Sequence, residues 1–522
     1  MNIKDFSKKL VQRIKDGAQA PILDPKAMTA PRGVRMILGT YAPPVSRRDQ
    51  AYEDSDGISE CLSCVRSGAP LVLISGRAGT GKSRFIRYLG QIDEGRRQII
   101  VAPTGVAALN IGAATIHKTF QLPFGALDAR KMERRPLGRE LEMIDRLVID
   151  EISMVRADIL DAIDMRMRER RGDPRPFGGV QVVMVGDFLQ LPPVTPREEE
   201  AMLARLGYHT PYAFSAKVVN EMDLKVVTLS KVWRQSDRDF IEVLGRIRSG
   251  RARQQDVGWL NDQCFRPAKK GTRPLMLTPT RNAAQRYNET GINNQRSKRR
   301  SELQLGSCAN GVEIGEHVFE AIRRGSFEGD AGRRKVVPVP DKVSLLPGVR
   351  IMAVKNDPGG KFVNGSLGTV LAAHPGQGET ELPYVDVQFD DRPDPVSVGR
   401  VTWEEIRHRW NSATEAVEKE IVGSYTQIPL ALGYAVTIHK SQGLTLTDMR
   451  LDLGNGTFAP GMLYVALSRA KSMDGLSFAR PVRLDDMRTD EITTQFLAWA
   501  RESARLEIVN DAPGSGNQAP SE

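Results

Sequence analysis

The sequence predicts an α/β chain: a parallel, doubly wound sheet flanked by helices, with a small antiparallel β domain inserted further along. Three observations predict it. Short β-branched apolar runs recur between residues 71 and 187, with helical stretches between them. A glycine-rich loop directly follows the first of those runs. From about 305 to 425 the pattern changes to alternating segments bounded by Gly and Pro, and from 426 the α/β style resumes.

Taken in order, residues 1–50 form a Pro-rich, basic extension with one short helix. LVLIS (71–75), QIIVAP (98–103), RLVID (146–150) and VQVVMV (180–185) read as strands buried on both faces. VVTLS (226–230) and PLMLTPT (274–280) continue that style. GVRIMAV, SLGTVLAA and YVDVQFD alternate as half-buried antiparallel strands do, and LGYAVTIHKSQG and MLYVALSRA return to the earlier pattern. The last dozen residues have the composition of a disordered tail. There is no periodic repeat, although TIHK occurs at both 115–118 and 437–440.

Composition narrows the partners. Lys plus Arg number 74 against 64 Asp plus Glu, a net charge of +10, which suits a polyanion. No apolar stretch approaches the ~20 residues that span a bilayer. The start, MNIKDFSKKLVQRIKDG, lacks a signal peptide's apolar core. The lone CxxC at Cys61 and Cys64 has no second pair to complete a zinc site, so it reads as thiols in a reduced compartment. A cytoplasmic protein is expected, nucleoid-associated if prokaryotic, with nucleus or mitochondrion as alternatives.

Gly76, Gly79, Thr80, Gly81, Lys82 and Ser83 lie in GRAGTGKS, which fits G-x-x-x-x-G-K-[ST] and follows a strand. Backbone N–H groups of such a loop converge on phosphate oxygens, helped by the positive end of the next helix, where Arg84 follows. Lys82 would neutralise the β and γ phosphates of ATP, and Ser83 would ligate Mg²⁺. RLVIDEISM brings Asp150 and Glu151 to the C-terminal end of a buried strand. Asp150 suits Mg²⁺, and Glu151 suits orienting and deprotonating the attacking water. PFGGVQVVMVGDFLQLPPV ends its strand at Asp187 and Gln190, the sheet edge where α/β proteins bind ligands. Gln190 reads as a γ-phosphate sensor; a Gln that merely caps a loop is the alternative.

These motifs stand in one order along the chain with APTGVAALNIGAATIHKTFQLP (102–123), LSKVWRQSD (229–237), GYAVTIHKSQGLTL (433–446) and YVALSRAKS (464–472). Together they resemble the PIF (petite integration frequency) helicases, the RecD-related branch of helicase superfamily one. LDAIDMRMRERRGDPRPFGGVQ resembles the segment that separates these from other motors of the superfamily. The resemblance covers about 71 to 476. It implies two RecA-like P-loop domains with a small inserted β-barrel-like domain, ATP between the lobes, and 5′-to-3′ movement on single-stranded DNA. By position Arg234 and Arg469 would reach the γ-phosphate from the second lobe, and Gln442 and Gly443 would face the nucleotide.

The twin TIHK segments then become one grip per lobe: Thr104, Thr115, His117 and Lys118 in the first, with Thr437, His439 and Lys440 in the second. A structural histidine is the alternative for either His. With aromatic residues at 6%, contact through phosphates outweighs base stacking. RSKRR (296–300) and RRK (333–335) read as solvated loop charge. Asn364 to Val370 resembles the turn of the family's inserted barrel. The implied domains are 51–230 for the first lobe, with a short wedge-like insertion at 122–142; 231–305 plus 426–485 for the second; 306–425 for the insert; and 486–522 for a C-terminal helix and tail. Two departures stand out. Gln50 is the only nearby candidate for an adenine-reading glutamine, and the wedge region is short and basic. The expected partners are single-stranded and forked duplex DNA, engaged by a monomer with no membrane. A translocase that remodels nucleoprotein without strand separation is the alternative.

Overall fold

The computed structural model describes residues 57–92, 96–123, 125–132, 137–235, 237–269, 271–305, 314–329, 337–357, 359–376, 382–411 and 416–510. The N-terminal extension, Gln50, the RRK cluster and the final tail lie outside the described residues.

The first lobe is a six-stranded sheet of β1 (Leu71–Gly76), β2 (Gln98–Ala102), β3 (Ala114–Thr115), β4 (Arg146–Ile149), β5 (Gln181–Gly186) and β6 (Leu224–Leu229). Their order is β3-β2-β4-β5-β1-β6, and every neighbouring pair is parallel. β1, β4 and β5 are buried along their whole length, which is why they read as unbroken apolar runs. Alternate residues feed two cores. Leu71, Leu73, Val182 and Met184 face one layer, while Val72, Ile74, Val183 and Val185 face the other.

β7 (Leu275–Thr278) begins the second lobe. The insert follows with β8 (His317–Glu320), β9 (Ile322–Gly325), β10 (Lys342–Leu345), β11 (Arg350–Ala353), β12 (Leu367–His374) and β13 (Tyr384–Phe389). It continues with β14 (Val396–Gly399), β15 (Val401–Asn411), β16 (Ala416–Gln427) and β17 (Leu430–Leu432). These strands form three antiparallel sheets, ordered β14-β13-β12-β11-β17, β15-β16-β9 and β10-β8, around a shared core that includes Phe319, Val387 and Tyr425. Because β17 pairs with β11, the inserted sheet takes in residues past 425. β18 (Ala435–Thr437), β19 (Met449–Leu451) and β20 (Leu476–Phe478) then complete a parallel sheet in the order β18-β7-β19-β20.

Two features bear on the working surfaces. The C-terminal helix Glu491–Asn510 returns to the first lobe, where Phe496 stacks on Phe214 with ring centres 4.1 Å apart. In the 122–142 segment, Leu122, Leu127 and Leu141 are buried in the first lobe's core, and the Leu127 N–H donates to Asp158 at 2.8 Å. The described part of that segment therefore lies down on the lobe.

Candidate nucleotide site at the seam of two lobes

Gly76 ends β1, and the loop that follows turns through Gly79 at φ +79° before the helix Lys82–Ile92 begins. Thr80 is buried, its hydroxyl donating to the Arg77 carbonyl at 2.9 Å. The Gly81 carbonyl accepts from the Phe85 N–H at 2.9 Å, opening the helix. Lys82 folds back over the loop and donates to the Gly76 and Arg77 carbonyls at 2.8 and 3.1 Å. Burial pushes its ammonium below the usual lysine range, while the carboxylates of Asp187, Glu151 and Asp150 pull the other way. An incoming triphosphate would add to that pull, so the loop favours a polyanion. Ser83 and Arg84 occupy the exposed first turn.

Asp150 continues β4, its N–H donating to the Val101 carbonyl at 2.9 Å, and its side chain is buried. Burial, then the neighbouring Glu151 charge, raises its carboxyl to about 7. A carboxylate so placed is costly unless a cation joins it, and the Asp150 carboxylate with the Ser83 hydroxyl is the hard-oxygen donor set that suits Mg²⁺. Glu151 sits at φ 50°, ψ 45°, a left-handed conformation that a non-glycine residue adopts at a cost of ~1–3 kcal/mol. The Glu151 N–H donates to Asp150 Oδ1 at 2.8 Å. Gln190 is buried beyond β5, its N–H on the Asp187 carbonyl at 2.9 Å and its amide 3.5 Å from Asp187 Oδ2.

The second lobe meets this cradle directly. A Cβ on Gly79 would fall 2.7 Å from Arg234 Cβ, and the Gly79 carbonyl accepts from the Trp233 N–H at 2.9 Å. No side chain fits between loop and arginine. The Arg234 guanidinium donates to the Ser468 carbonyl at 3.0 Å, and Gln235 donates to the Ser468 and Ala470 carbonyls at 3.1 and 2.9 Å. Arg469 is buried next to them, held by the Val465 carbonyl at 2.9 Å and the Ser468 hydroxyl at 2.7 Å. Burial, and then the Arg234 charge, lowers its guanidinium, while Glu151 and Asp187 are near enough to act oppositely. Arg469 also lies 3.5 Å from the Leu444 carbonyl, close in sequence to Gln442 and Gly443. Gln442 keeps a buried amide nitrogen with no partner among the described residues, while Gly443 is exposed.

Three residues at this seam escaped the sequence reading. Arg248 clamps Asp187 with two hydrogen bonds, 2.7 and 3.1 Å, both side chains almost wholly buried. Burial opposes ionisation of Asp187, but the Arg248 charge and hydrogen bonds, with Lys82 beyond, hold its carboxyl below the usual range. The Tyr464 hydroxyl accepts from the Ala78 N–H of the phosphate loop at 3.0 Å. Gly461 passes 2.6 Å from the Gln190 carbonyl, measured from where a Cβ would stand. Tyr464 lies inside the YVALSRAKS stretch and could have been weighed there. Arg248 is one arginine among many in RIRSGRAR, with no local signal to single it out.

The DNA candidates stand at the C-terminal ends of parallel strands in both lobes. Thr104 accepts from the Ala107 N–H at 3.2 Å, and Thr115 precedes the short helix Ile116–Thr119. His117 is half-buried, its ring pushed toward neutrality by burial and by Arg156. Lys118 pairs with Glu405 of the insert at 2.8 Å. In the second lobe Thr437 is buried and accepts from the Lys440 N–H at 3.2 Å, while Lys440 itself is exposed. His439 stacks on the exposed ring of Phe458, centres 6.0 Å apart. Phe458 and Tyr287 border a cavity of about 620 Å³ at the ends of β7 and β19, an aromatic surface that overall composition had concealed. In the RSKRR cluster, Arg296 pairs with Glu316.

Residues 56–258 match the family model of the PIF1-like helicases. The chain is 32% identical over 429 residues to the ATP-dependent DNA helicase Pif1 of Bdellovibrio bacteriovorus, covering 80% of this chain and 86% of that protein. It is 33% identical over 459 residues to human ATP-dependent DNA helicase PIF1, covering 86% of this chain but only 64% of the human protein. The crystal structure of Bacteroides Pif1 in complex with ADP-AlF4 superposes with a TM-score of 0.73 at 29% identity, covering 86% of this chain and 97% of that one. Bacteroides Pif1 bound to single-stranded DNA superposes at 0.59 and 30% identity, covering 87% and 98%.

Proposed function

The chain belongs to the PIF1-like helicase family and is an ATP-dependent DNA helicase, and from that premise we propose that it moves 5′ to 3′ along single-stranded DNA and opens forked duplex. One observation carries the coupling of hydrolysis to lobe movement on which this reading depends: Arg234 of the second lobe lies directly against Gly79 of the phosphate loop. Cationic stabilisation supplied by a separate lobe links hydrolysis to closure. In this reading Lys82 and the loop amides hold the β and γ phosphates, with Gly76, Gly79, Thr80, Gly81, Ser83 and Arg84 shaping the cradle. Asp150 and Ser83 would hold Mg²⁺, which would offset charge on the phosphate oxygens. Glu151 orients the attacking water and takes its proton, Gln190 hydrogen-bonds the γ-phosphate or that water and registers the loss of its partner after hydrolysis, and Arg234 and Arg469 meet the charge that develops. The Gln442 amide nitrogen, buried without a partner among the described residues, supports placing it toward nucleotide.

Thr104, Thr115, His117 and Lys118 would hold DNA phosphates in one lobe, and Thr437, His439 and Lys440 in the other. Alternating grip would then advance the chain, working as a monomer in repair, recombination or replication. Stacking on Phe458 and Tyr287 would add to that grip. No described helix is long and apolar enough to cross a membrane.

A second reading, translocation without strand separation, draws on the burial of Leu122, Leu127 and Leu141, which ties described parts of that segment to the first lobe's core. Forked duplexes with either a 5′ or a 3′ tail decide between them. ATP-dependent opening of the 5′-tailed fork alone is the expected result. Opening of only the 3′-tailed fork reverses the polarity, and stripping of a bound protein from intact forks favours the second reading.

A further inference from the structure

The nucleotide chemistry described above gives no task to Asp187, yet this carboxylate is the electrostatic centre of the seam. It is buried at the end of β5, and its charge is felt by Lys82 of the first lobe and by Tyr464 and Arg469 of the second. It also builds the turn that presents Gln190. Asp187 Oδ1 accepts from the Leu189 N–H at 3.2 Å, its backbone carbonyl accepts from the Gln190 N–H at 2.9 Å, and Oδ2 lies 3.5 Å from the Gln190 amide. Whatever holds Asp187 therefore holds Gln190.

What holds it comes from the other lobe. Arg248 is the last residue of the helix Arg238–Arg248, whose first turn is capped by Asp237, three residues after Arg234. That helix is a rod of roughly 16 Å, tied at one end near the Arg234 and Gln235 contacts with Ser468 and at the other to Asp187. A guanidinium fork on a carboxylate fixes angle as well as distance. An element anchored at both ends moves the Gln190 turn and Arg234 together.

Resting on the motor reading, we infer that Arg248 is a positioning residue which, through its paired hydrogen bonds to Asp187, fixes the Gln190 turn to the second lobe and so couples DNA engagement to hydrolysis. Arg248 touches neither nucleotide nor DNA in this assignment. It acts through Asp187. A buried ion pair is weak evidence for a stabilising role, because neutral replacements of similar volume often hold a fold equally well. That separates a coupling role from a structural one.

The test is the double variant Arg248→Met with Asp187→Asn, which removes both buried charges together, measured beside the wild-type full chain. ATP turnover is followed with and without an oligothymidine strand, alongside melting temperature. The expected result is a melting temperature near wild type, a KM for ATP within about threefold, and DNA stimulation of kcat reduced about tenfold. Arg248→Lys keeps the charge without the fork; it should restore part of the stimulation, and it decides the matter if the double variant does not fold. A folded variant stimulated as strongly as wild type overturns the inference, as does a kcat that falls equally with and without DNA. A wild-type chain whose turnover ignores DNA refutes the motor reading itself, a failure distinguishable from the others because no variant is involved.

Discussion

Lys118 Nζ stands 2.8 Å from Glu405 Oε1, so a cation expected to meet DNA from the first lobe is paired with the inserted domain. Both side chains are only about one-fifth exposed, so the ammonium needs an anionic partner, and DNA phosphate would compete with Glu405 for that place. Glu405→Gln should strengthen binding to an oligothymidine strand by about twofold to fivefold at low salt. Lys118→Ala should flatten the logarithmic salt dependence by about 0.7. Fluorescence anisotropy over a salt series reads both, and an unchanged slope would remove Lys118 from the contact set.

Glu151 and Lys82 should fail differently. Glu151→Gln keeps the shape of the site and the phosphate cradle, so it should bind ATP and DNA while turnover drops ~10²-fold or more. Lys82→Ala removes the ammonium that closes over the loop, so phosphate affinity itself should fall. A fluorescent ATP analogue beside steady-state turnover separates the two. Weak nucleotide binding by Glu151→Gln would contradict its role as base.

Gly461 stands at φ +72° in van der Waals contact with the Gln190 turn. Gly461→Ala puts a methyl group 2.6 Å from the Gln190 carbonyl in a conformation that alanine disfavours. The expected result is a lower melting temperature, by the equivalent of ~1–3 kcal/mol, with kcat reduced more than ATP affinity. Equal activity and stability in the variant would mean that the lobes do not need this close approach.

His439 supplies the pH dependence. Burial, and then Arg281, lowers its pKa from 6.5, so the folded protein resists protonating it. The unfolded chain takes up the proton first as pH falls, and stability contributed by the neutral ring is present above 6.5 and lost below it. Urea midpoints measured from pH 7.5 down to 5.5 should fall more steeply for the wild type than for His439→Gln. Parallel profiles would show that His439 titrates as an ordinary exposed histidine.

How much of this was legible follows physical lines. β1, β4 and β5 declared themselves because both faces are buried, leaving no polar alternation to confuse the pattern. β6 was visible although it is an edge strand with mixed burial, because its centre, Val226, Val227 and Thr228, is β-branched. The wedge-like insertion at 122–142 came from its place in the family's order of motifs, and the leucines that bind its described part to the core were too widely spaced to show a period. Phe458 and Tyr287 were hidden by an average, since two well-placed rings scarcely alter total composition.

Lys82, Asp150 and Glu151 owe their placement to a few consecutive residues each: a glycine turn entering a helix, and a strand that stops at its own carboxylates. Geometry of that range is set by local backbone preference, so the sequence alone determined it. Arg248 on Asp187, 61 residues apart, and Tyr464 on Ala78, 386 apart, had no such local cause. Those pairings exist because two sheets and an insert pack until buried charges and amides find partners. That requirement acts through space, and only the tertiary structure decided which residues met it.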